Sequence, residues 1–186
     1  MAQHFRVIDQ PLAGFSEIDF AGIYAAVQPM LNGAPNHYLP VASVPQLHAL
    51  QQQHPYFNEE ISLFTVKGGQ ALESRWPIHI DWGRKSALNI PVINCTESAT
   101  TTFYELPTHA ANTLQAAPEW GISLVHGPLK SVESFCMTAP TLISTATPHS
   151  VHNHSADDRV IFSWGSLCTL QELIRALQLP STDAKI

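Results

Sequence analysis

Two histidines and a carboxylate occupy positions from which a strand pattern could bring them together. In the stretch Pro77-Ile78-His79-Ile80-Asp81-Trp82, an extended backbone points His79 and Asp81 to the same face. A second stretch, from Pro148 to Arg159, supplies three more histidines, namely His149, His152 and His154. Two imidazoles and one carboxylate hold non-haem Fe(II) on one face of its coordination sphere and leave positions open for chemistry.

A basic residue follows the second stretch at a useful spacing. Arg159 begins a run that alternates as a strand, and an inward-facing guanidinium needs a carboxylate partner. A dicarboxylate co-substrate chelated to the metal would supply that partner through a charge-assisted, bidentate contact. The alternative is a surface ion pair between Arg159 and its neighbour Asp157 or Asp158.

These residues resemble the 2-oxoglutarate/Fe(II)-dependent dioxygenases, which carry an H-x-D…H…R pattern. The similarity is closest in the segments LNIPVINC (88–95) and PHSVHN (148–153), which resemble the aspartyl/asparaginyl β-hydroxylase-like branch. It covers roughly residues 60 to 165. Several members of that branch lack the metal carboxylate, whereas this chain has Asp81 at the matching place, so the resemblance implies a full triad.

The resemblance also implies a role for each candidate residue. It places the distal ligand ten residues before the arginine, which selects His149 and leaves His152 facing outward on the strand and His154 in a turn. His79, Asp81 and His149 would then hold Fe(II), and Arg159 would bind the far carboxylate of 2-oxoglutarate. With O2 as the third reactant, the expected outcome is hydroxylation of a small molecule or an amino-acid side chain.

Several polar residues lie within otherwise apolar strand sequence and must find partners inside the protein. They are Asn89, Asn94, Tyr104 and Ser163. Ser163 and Asn89 are the two that we expect to contact the co-substrate, although ordinary strand-to-strand hydrogen bonding is an equally good interpretation of each. Arg75 is expected to be a solvated side chain.

The periodicity of the chain predicts a mainly β protein with flanking helices. From Glu60 onward, short β-branched and aromatic runs separated by turn residues favour a jelly roll over alternating β/α units. Together with the resemblance, this predicts a cupin-like double-stranded β-helix at residues 60–165, helical support at 1–58, and a C-terminal helix and tail at 166–186. Ser16 is predicted to cap the first helix. The segment 106–130 is predicted to be an irregular loop over the mouth of the metal cavity.

Length and composition narrow the class of protein further. At 186 residues the chain is expected to form one domain, and its formal charge of −6 argues against nucleic acid as a partner. No apolar run approaches the length of a membrane span, and the polar N-terminus predicts a cytoplasmic protein. Cys95, Cys136 and Cys168 lack zinc or disulfide spacing and are expected to be reduced.

Two other functions fit the same residues. One is a cupin-like metalloenzyme that does not use 2-oxoglutarate and therefore needs no buried Arg159. The other is a metal-binding barrel without catalytic activity.

Overall fold

The structure is a computed structural model that describes residues 3–10, 12–31, 36–69, 75–106 and 113–179. Within these ranges the chain forms mainly β-strands. The strands are β1 (Phe5–Val7), β2 (Asn36–Pro40), β3 (Phe57–Val66), β4 (Arg75–Asp81), β5 (Ser86–Ile93), β6 (Ala99–Glu105), β7 (Thr113–Ala117), β8 (Ile122–His126), β9 (Lys130–Cys136), β10 (Thr141–Ser144), β11 (His149–Asn153) and β12 (Arg159–Ser166). The α-helices are α1 (Phe20–Val27), α2 (Pro45–Gln53) and α3 (Leu170–Ala176).

The strands form two antiparallel sheets whose order defines a double-stranded β-helix. In the described residues one sheet has the order β1-β10-β5-β12-β3-β2 and the other the order β7-β8-β4-β11-β6-β9. From β3 to β6, and again from β9 to β12, each successive strand belongs to the opposite sheet. The chain therefore winds around a central space, as the jelly-roll prediction requires, and the cupin-like fold is confirmed.

Strand β12 is buried on both faces and separates two interiors. Its side chains Val160, Phe162 and Trp164 join the main hydrophobic core, to which the three α-helices also contribute. The alternate side chains Arg159, Ile161 and Ser163 line the space between the two sheets. Because the side chains of a strand alternate between its two faces, β12 packs against the helical layer with one face and lines the central cavity with the other.

The helices begin and end at chemically recognisable positions. Helix α3 starts with a capping box in which Thr169 and Glu172 satisfy each other's backbone N–H groups. The prediction that Ser16 caps the first helix was wrong. Residues Phe15–Glu17 form a separate 3-10 turn, and α1 begins at Phe20 with Asp19 accepting a hydrogen bond from the Gly22 N–H at 2.9 Å. The carboxylate at position 19 thus provides the cap, three residues later than predicted.

The segment predicted to be irregular contains regular structure. Strands β7 and β8 pair with each other, and β8 pairs with β4, so this hairpin extends the sheet that carries His79 and Asp81. The prediction of an irregular loop is therefore wrong over residues 113–126, while residues 107–112 lie outside the described part of the chain. The turn of the hairpin, at Trp120 and Gly121, borders the central cavity.

Among the described residues, no helix combines the length and the apolar character needed to cross a membrane.

Candidate metal centre

The fold brings His79 and His149 face to face on neighbouring strands. His79 on β4 is the register partner of His149 on β11, and their ring centroids are 4.3 Å apart. The register slips between this pair and the next, Val151 with Trp76, so that β4 has one extra residue at Pro77–Ile78. Proline suits this bulge because it has no N–H to leave unpaired. Beyond the bulge, His79 and Asp81 alternate onto the cavity face as predicted.

Backbone contacts define which ring nitrogen each histidine presents to the cavity. His79 Nδ1 lies 2.7 Å from the Pro77 carbonyl oxygen, and His149 Nδ1 lies 2.9 Å from the Thr147 carbonyl oxygen. A carbonyl oxygen can only accept, so in both rings Nδ1 carries a proton and Nε2 is the nitrogen that faces the cavity. This arrangement, in which the second nitrogen is fixed by a carbonyl, is typical of metal-ligating histidines.

The two Nε2 atoms converge on the carboxylate of Asp81. His79 Nε2 lies 3.4 Å from Asp81 Oδ1, and His149 Nε2 lies 4.0 Å from Asp81 Oδ2. All three side chains are buried, and one ligand atom from each lies within 4.8 Å of the others. Two imidazoles and a carboxylate on one side of a cavity match the donor set of a non-haem Fe(II) centre. The residues therefore fit the metal that the sequence predicts.

Burial and neighbouring charges shift the protonation of this group in opposite directions. Burial, together with the nearby His79, lowers the pKa of His149 to about 4, so the imidazole is neutral at pH 7. Burial alone would raise the pKa of Asp81, but the Arg84 guanidinium and the two imidazoles hold it well below its ordinary value. At neutral pH His149 is thus a lone-pair donor that lies beside the anionic Asp81, an arrangement suited to a divalent cation.

Arg84 is a residue of the site that the sequence did not indicate. Its Nε and Nη2 donate to Asp81 Oδ2 at 3.0 and 2.9 Å, and its Nη1 donates to Ser163 Oγ at 2.9 Å. The chain turns back at Gly83, which has a φ of 66°, and so places Arg84 against the carboxylate three residues earlier. Gly165 leaves room for the arginine stem, since a Cβ there would lie 2.8 Å from Arg84 Cδ. A basic residue just after a glycine turn was the only sequence signal.

Arg159 lies at the bottom of the cavity, not on the surface. Arg159 is only 1% exposed. Asp158, the surface partner that the sequence offered as an alternative, pairs with Lys67 at 2.8 Å. The Arg159 Nη2 donates to the Met137 sulfur at 3.5 Å, while Nε and Nη1 have no hydrogen-bond partner among the described residues. Burial lowers the pKa of this guanidinium, and the nearby Cys95 thiol partly opposes that shift. A buried cation without a carboxylate is costly, and a bound anion would relieve that cost.

The remaining cavity wall contains further polar atoms without partners. Asn89 and Ser163 are register partners on β5 and β12, and both are buried in the cavity wall as predicted. The Asn89 Oδ1 and the Thr101 Oγ1 have no hydrogen-bond partner within the described chain. Thr101, which the sequence did not single out, lies on β6 in the sheet opposite Asn89. Unsatisfied buried polar atoms are rare in proteins, and these are positioned to meet a polar ligand.

The cavity that joins these groups has a volume of about 790 Å³, which is within the range of small-molecule sites. It contains the triad, Arg84, Arg159, Asn89, Thr101 and Ser163.

The other candidate polar residues lie elsewhere. Asn94 is exposed and donates to the Asp158 carbonyl, and the Tyr104 hydroxyl bonds to Ser150. His152 is on the opposite face of β11 from His149, where its Nε2 accepts a hydrogen bond from the exposed Arg75 at 3.1 Å. Tyr104, Ser150, Arg75 and His152 border a separate pocket of about 360 Å³, together with His154. They do not contribute to the candidate metal centre. The three cysteines are free and half-buried.

Comparison with known proteins yields similarity to solved structures only. No family model matches the chain, and no curated protein matches it. A prolyl-4-hydroxylase from Pseudomonas putida aligns with a TM-score of 0.42 and 12% identity, over 87% of this chain and 90% of that one. Apo HygX from Streptomyces hygroscopicus aligns with a TM-score of 0.41 and 10% identity, over 88% and 82% of the two chains.

A third similar structure is the vicilin of hazelnut, Corylus avellana. It aligns with a TM-score of 0.38 and 10% identity over 71% of this chain, which spans 29% of the vicilin chain. At such scores and identities these similarities assign no function, and the aspartyl/asparaginyl β-hydroxylase-like branch stays a prediction.

Proposed function

We propose that this protein is an Fe(II)/2-oxoglutarate-dependent dioxygenase that hydroxylates an unactivated C–H bond of a small molecule or an amino-acid side chain. The observation that carries the proposal is the meeting of two features in one cavity. A buried His79-Asp81-His149 cluster presents a facial set of donors, and the buried guanidinium of Arg159 has no anionic partner among the described residues. The first feature fits Fe(II), and the second fits the far carboxylate of a dicarboxylic co-substrate.

The residues of the cavity would have two roles, to hold the metal and to bind the co-substrate. His79 and His149 would each offer Nε2 to the metal, and Asp81 would supply the negative charge. Arg159 would bind the distal carboxylate of 2-oxoglutarate, with Thr101 and Asn89 close enough to the same cavity to offer further polar contacts. When bound, iron, 2-oxoglutarate and O2 together supply the oxidising power, with succinate and CO2 as by-products.

Arg84 would act through Asp81. Because two of its N–H groups are bonded to Oδ2, the carboxylate is prevented from rotating, and Oδ1 faces the His79 Nε2. A third N–H on Ser163 ties this arrangement to β12, the strand that also carries Arg159. The hydroxyl of Ser163 keeps its own hydrogen available for a ligand.

The experiment that tests the proposal is succinate formation by the purified full chain supplied with Fe(II), ascorbate, O2 and 2-oxoglutarate. Slow succinate formation without a substrate is expected, because these enzymes turn over the co-substrate uncoupled. His79→Ala should abolish it, and Arg159→Met should reduce it strongly at low 2-oxoglutarate. Arg175→Met removes an exposed arginine on α3 and serves as the matched control, with unchanged turnover.

The outcome also separates the two alternative functions. A cupin-like metalloenzyme without a keto-acid would bind iron but give no succinate and no response to 2-oxoglutarate. A non-catalytic barrel would bind iron and 2-oxoglutarate without consuming either. Succinate formation that survives His79→Ala would contradict the proposed metal centre.

A further inference from the structure

The exposed edge of the cavity differs in chemistry from its buried interior. Two large aromatic side chains border it and are unusually exposed, with Tyr38 at 48% and Trp120 at 39%. The exposed carboxylate residues Glu59 and Glu60 border it as well. We call these four residues the rim.

The aromatic rings of the rim are held in place although their faces are open. Tyr38, on the edge strand β2 of one sheet, reaches across to the hairpin of the other sheet. Its hydroxyl lies close to Gly121, 3.0 Å from the point that a Cβ would occupy there. Trp120 leans on Trp76 at a centroid distance of 5.6 Å. Rings that are fixed before a ligand arrives bind it with less loss of conformational entropy.

The carboxylate of Glu60 lies on the same face as Tyr38. Tyr38 is the register partner of Ser62, and Pro40 that of Glu60, so Glu60 and Tyr38 are diagonal neighbours across the β2–β3 pair. Ser62 itself lines the cavity, which places the Glu60 side chain at its edge. Among the described residues, neither Glu59 nor Glu60 takes part in an ion pair.

The cavity's own cations do not neutralise the rim. Arg84 is engaged by Asp81 and Ser163, and Arg159 is buried at the far end. The rim is therefore an open group of aromatic faces next to two carboxylates without a counter-charge. Aromatic faces and carboxylates both attract organic cations, and neither favours an anion.

We propose that the substrate carries an organic cation, such as an ammonium or guanidinium group, which the rim binds while an uncharged carbon portion extends toward the metal centre. This inference rests on the proposed function, because only an enzyme has a substrate. The preference of the rim for cations over neutral molecules can nevertheless be measured without turnover. Two aromatic faces are supplied by Tyr38 and Trp120, and Glu60 supplies the counter-charge. The net charge of −6 adds a favourable long-range field for a cation.

The test is a ligand-observed NMR titration of the full chain without added iron or 2-oxoglutarate. The probes are two pairs of equal shape that differ in charge, choline with 3,3-dimethylbutan-1-ol and butylguanidinium with butylurea. In at least one pair the cation should bind about fivefold or more tighter than its neutral counterpart, as expected for a cation on aromatic faces.

Two single substitutions should remove this preference. Glu60→Gln and Trp120→Leu should each weaken cation binding by about threefold or more and leave the neutral probes unaffected. Both residues are exposed, so the variants should keep the wild-type circular dichroism spectrum. Glu105→Gln removes an exposed carboxylate at the end of β6, outside the cavity lining, and should change nothing.

The results distinguish this inference from the proposed function. Equal binding of cation and neutral probe in both pairs, or an equal loss in Glu105→Gln and Glu60→Gln, would overturn the cation proposal even if succinate is formed. A cation preference that depends on Glu60 and Trp120 supports it, even if the assay for succinate fails and the proposed reaction is abandoned.

Discussion

Arg84 binds a single oxygen of Asp81 through two N–H groups and leaves the other oxygen facing His79. The contact is largely buried and keeps the carboxylate both ionised and oriented before any metal arrives. Preparing an anion inside a protein requires a nearby cation, because burial alone would favour the protonated acid. Arg84 is therefore the residue that most directly keeps the Asp81 carboxylate ionised and oriented in the metal-free protein.

Replacing Arg84 with Met should destabilise the metal-free protein and make metal binding sensitive to pH. Asp81 would keep its burial but lose its main compensating charge, so its pKa would rise. We expect the free energy of unfolding of the metal-free variant to fall by about 3–5 kcal/mol, as for other broken buried pairs. Co(II) affinity should fall more steeply between pH 7 and pH 5.5 than in the wild type. Identical pH profiles for the two proteins would contradict this role.

Replacing Arg159 with Met should have the opposite effect on stability. The wild-type guanidinium is buried without a hydrogen-bonded anion, so an apolar side chain of similar length removes a desolvation cost. The ligand-free variant should be between roughly 0 and 4 kcal/mol more stable in chemical denaturation. Its stabilisation by Co(II) should persist, and its stabilisation by 2-oxoglutarate should disappear. Arg175→Met is the control, and equal loss of both stabilisations in Arg159→Met would contradict a specific role in co-substrate binding.

The metal-free protein should lose stability as the pH falls from about 6.5 toward 4. The pKa of His149 is about 4 in the folded chain and 6.5 ordinarily, so in this window the unfolded chain binds a proton that the folded chain does not. Stability is therefore complete above pH 6.5 and declines on acidification, by on the order of 2–3 kcal/mol. The lowered pKa of Asp81 adds to the loss only below about pH 4.

The measurement is urea denaturation in a chelator at several pH values. His149→Gln should show a shallower decline than the wild type, and His48→Gln, which changes an exposed histidine on α2, should not. A His149→Gln slope equal to that of the wild type would assign the decline to other groups.

Replacing Asn153 with Ala should destabilise the fold and weaken co-substrate binding together. The fully buried Asn153 donates to the carbonyls of Val66, Lys67 and Asp157, and its Oδ1 accepts from Ser155. It thus fixes the turn between β11, which carries His149, and β12, which carries Arg159. We expect a loss of about 2–4 kcal/mol in the free energy of unfolding. Ser134→Ala, at an exposed position, should change it by less than about 0.5 kcal/mol, and a comparable loss there would contradict the assignment.

The sequence predicted the strands well, because that signal is local. Alternation in 149–153 and 159–164 gave the correct inward faces, and the H-x-D spacing placed His79 and Asp81 on one side of β4. Asn89 and Ser163 line the cavity and Asn94 and Tyr104 do not, while contact of the former pair with a co-substrate stays a prediction. Whether these residues bind iron and 2-oxoglutarate stays a prediction.

The features that the sequence did not predict depend on tertiary structure. Strand β7, with the sequence TLQAA, has little β-branched character and is a strand because it pairs with β8 at the edge of a sheet. Arg84 meets Asp81 only because Gly83 reverses the chain and Gly165 leaves space on a strand far along the sequence. Thr101 gave no signal, because a threonine in a strand is unremarkable until the cavity beside it is known.

The two-faced burial of β12 has a consequence for engineering. Phe162 and Trp164 pack beneath the helices, yet their backbone also carries Arg159, Ile161 and Ser163 into the cavity. A conservative change in the helical layer, such as Phe162→Leu, would shift the guanidinium relative to the metal ligands without touching any of them. Directed evolution of substrate preference should therefore recover mutations from the far side of the sheet, among residues that no ligand can reach.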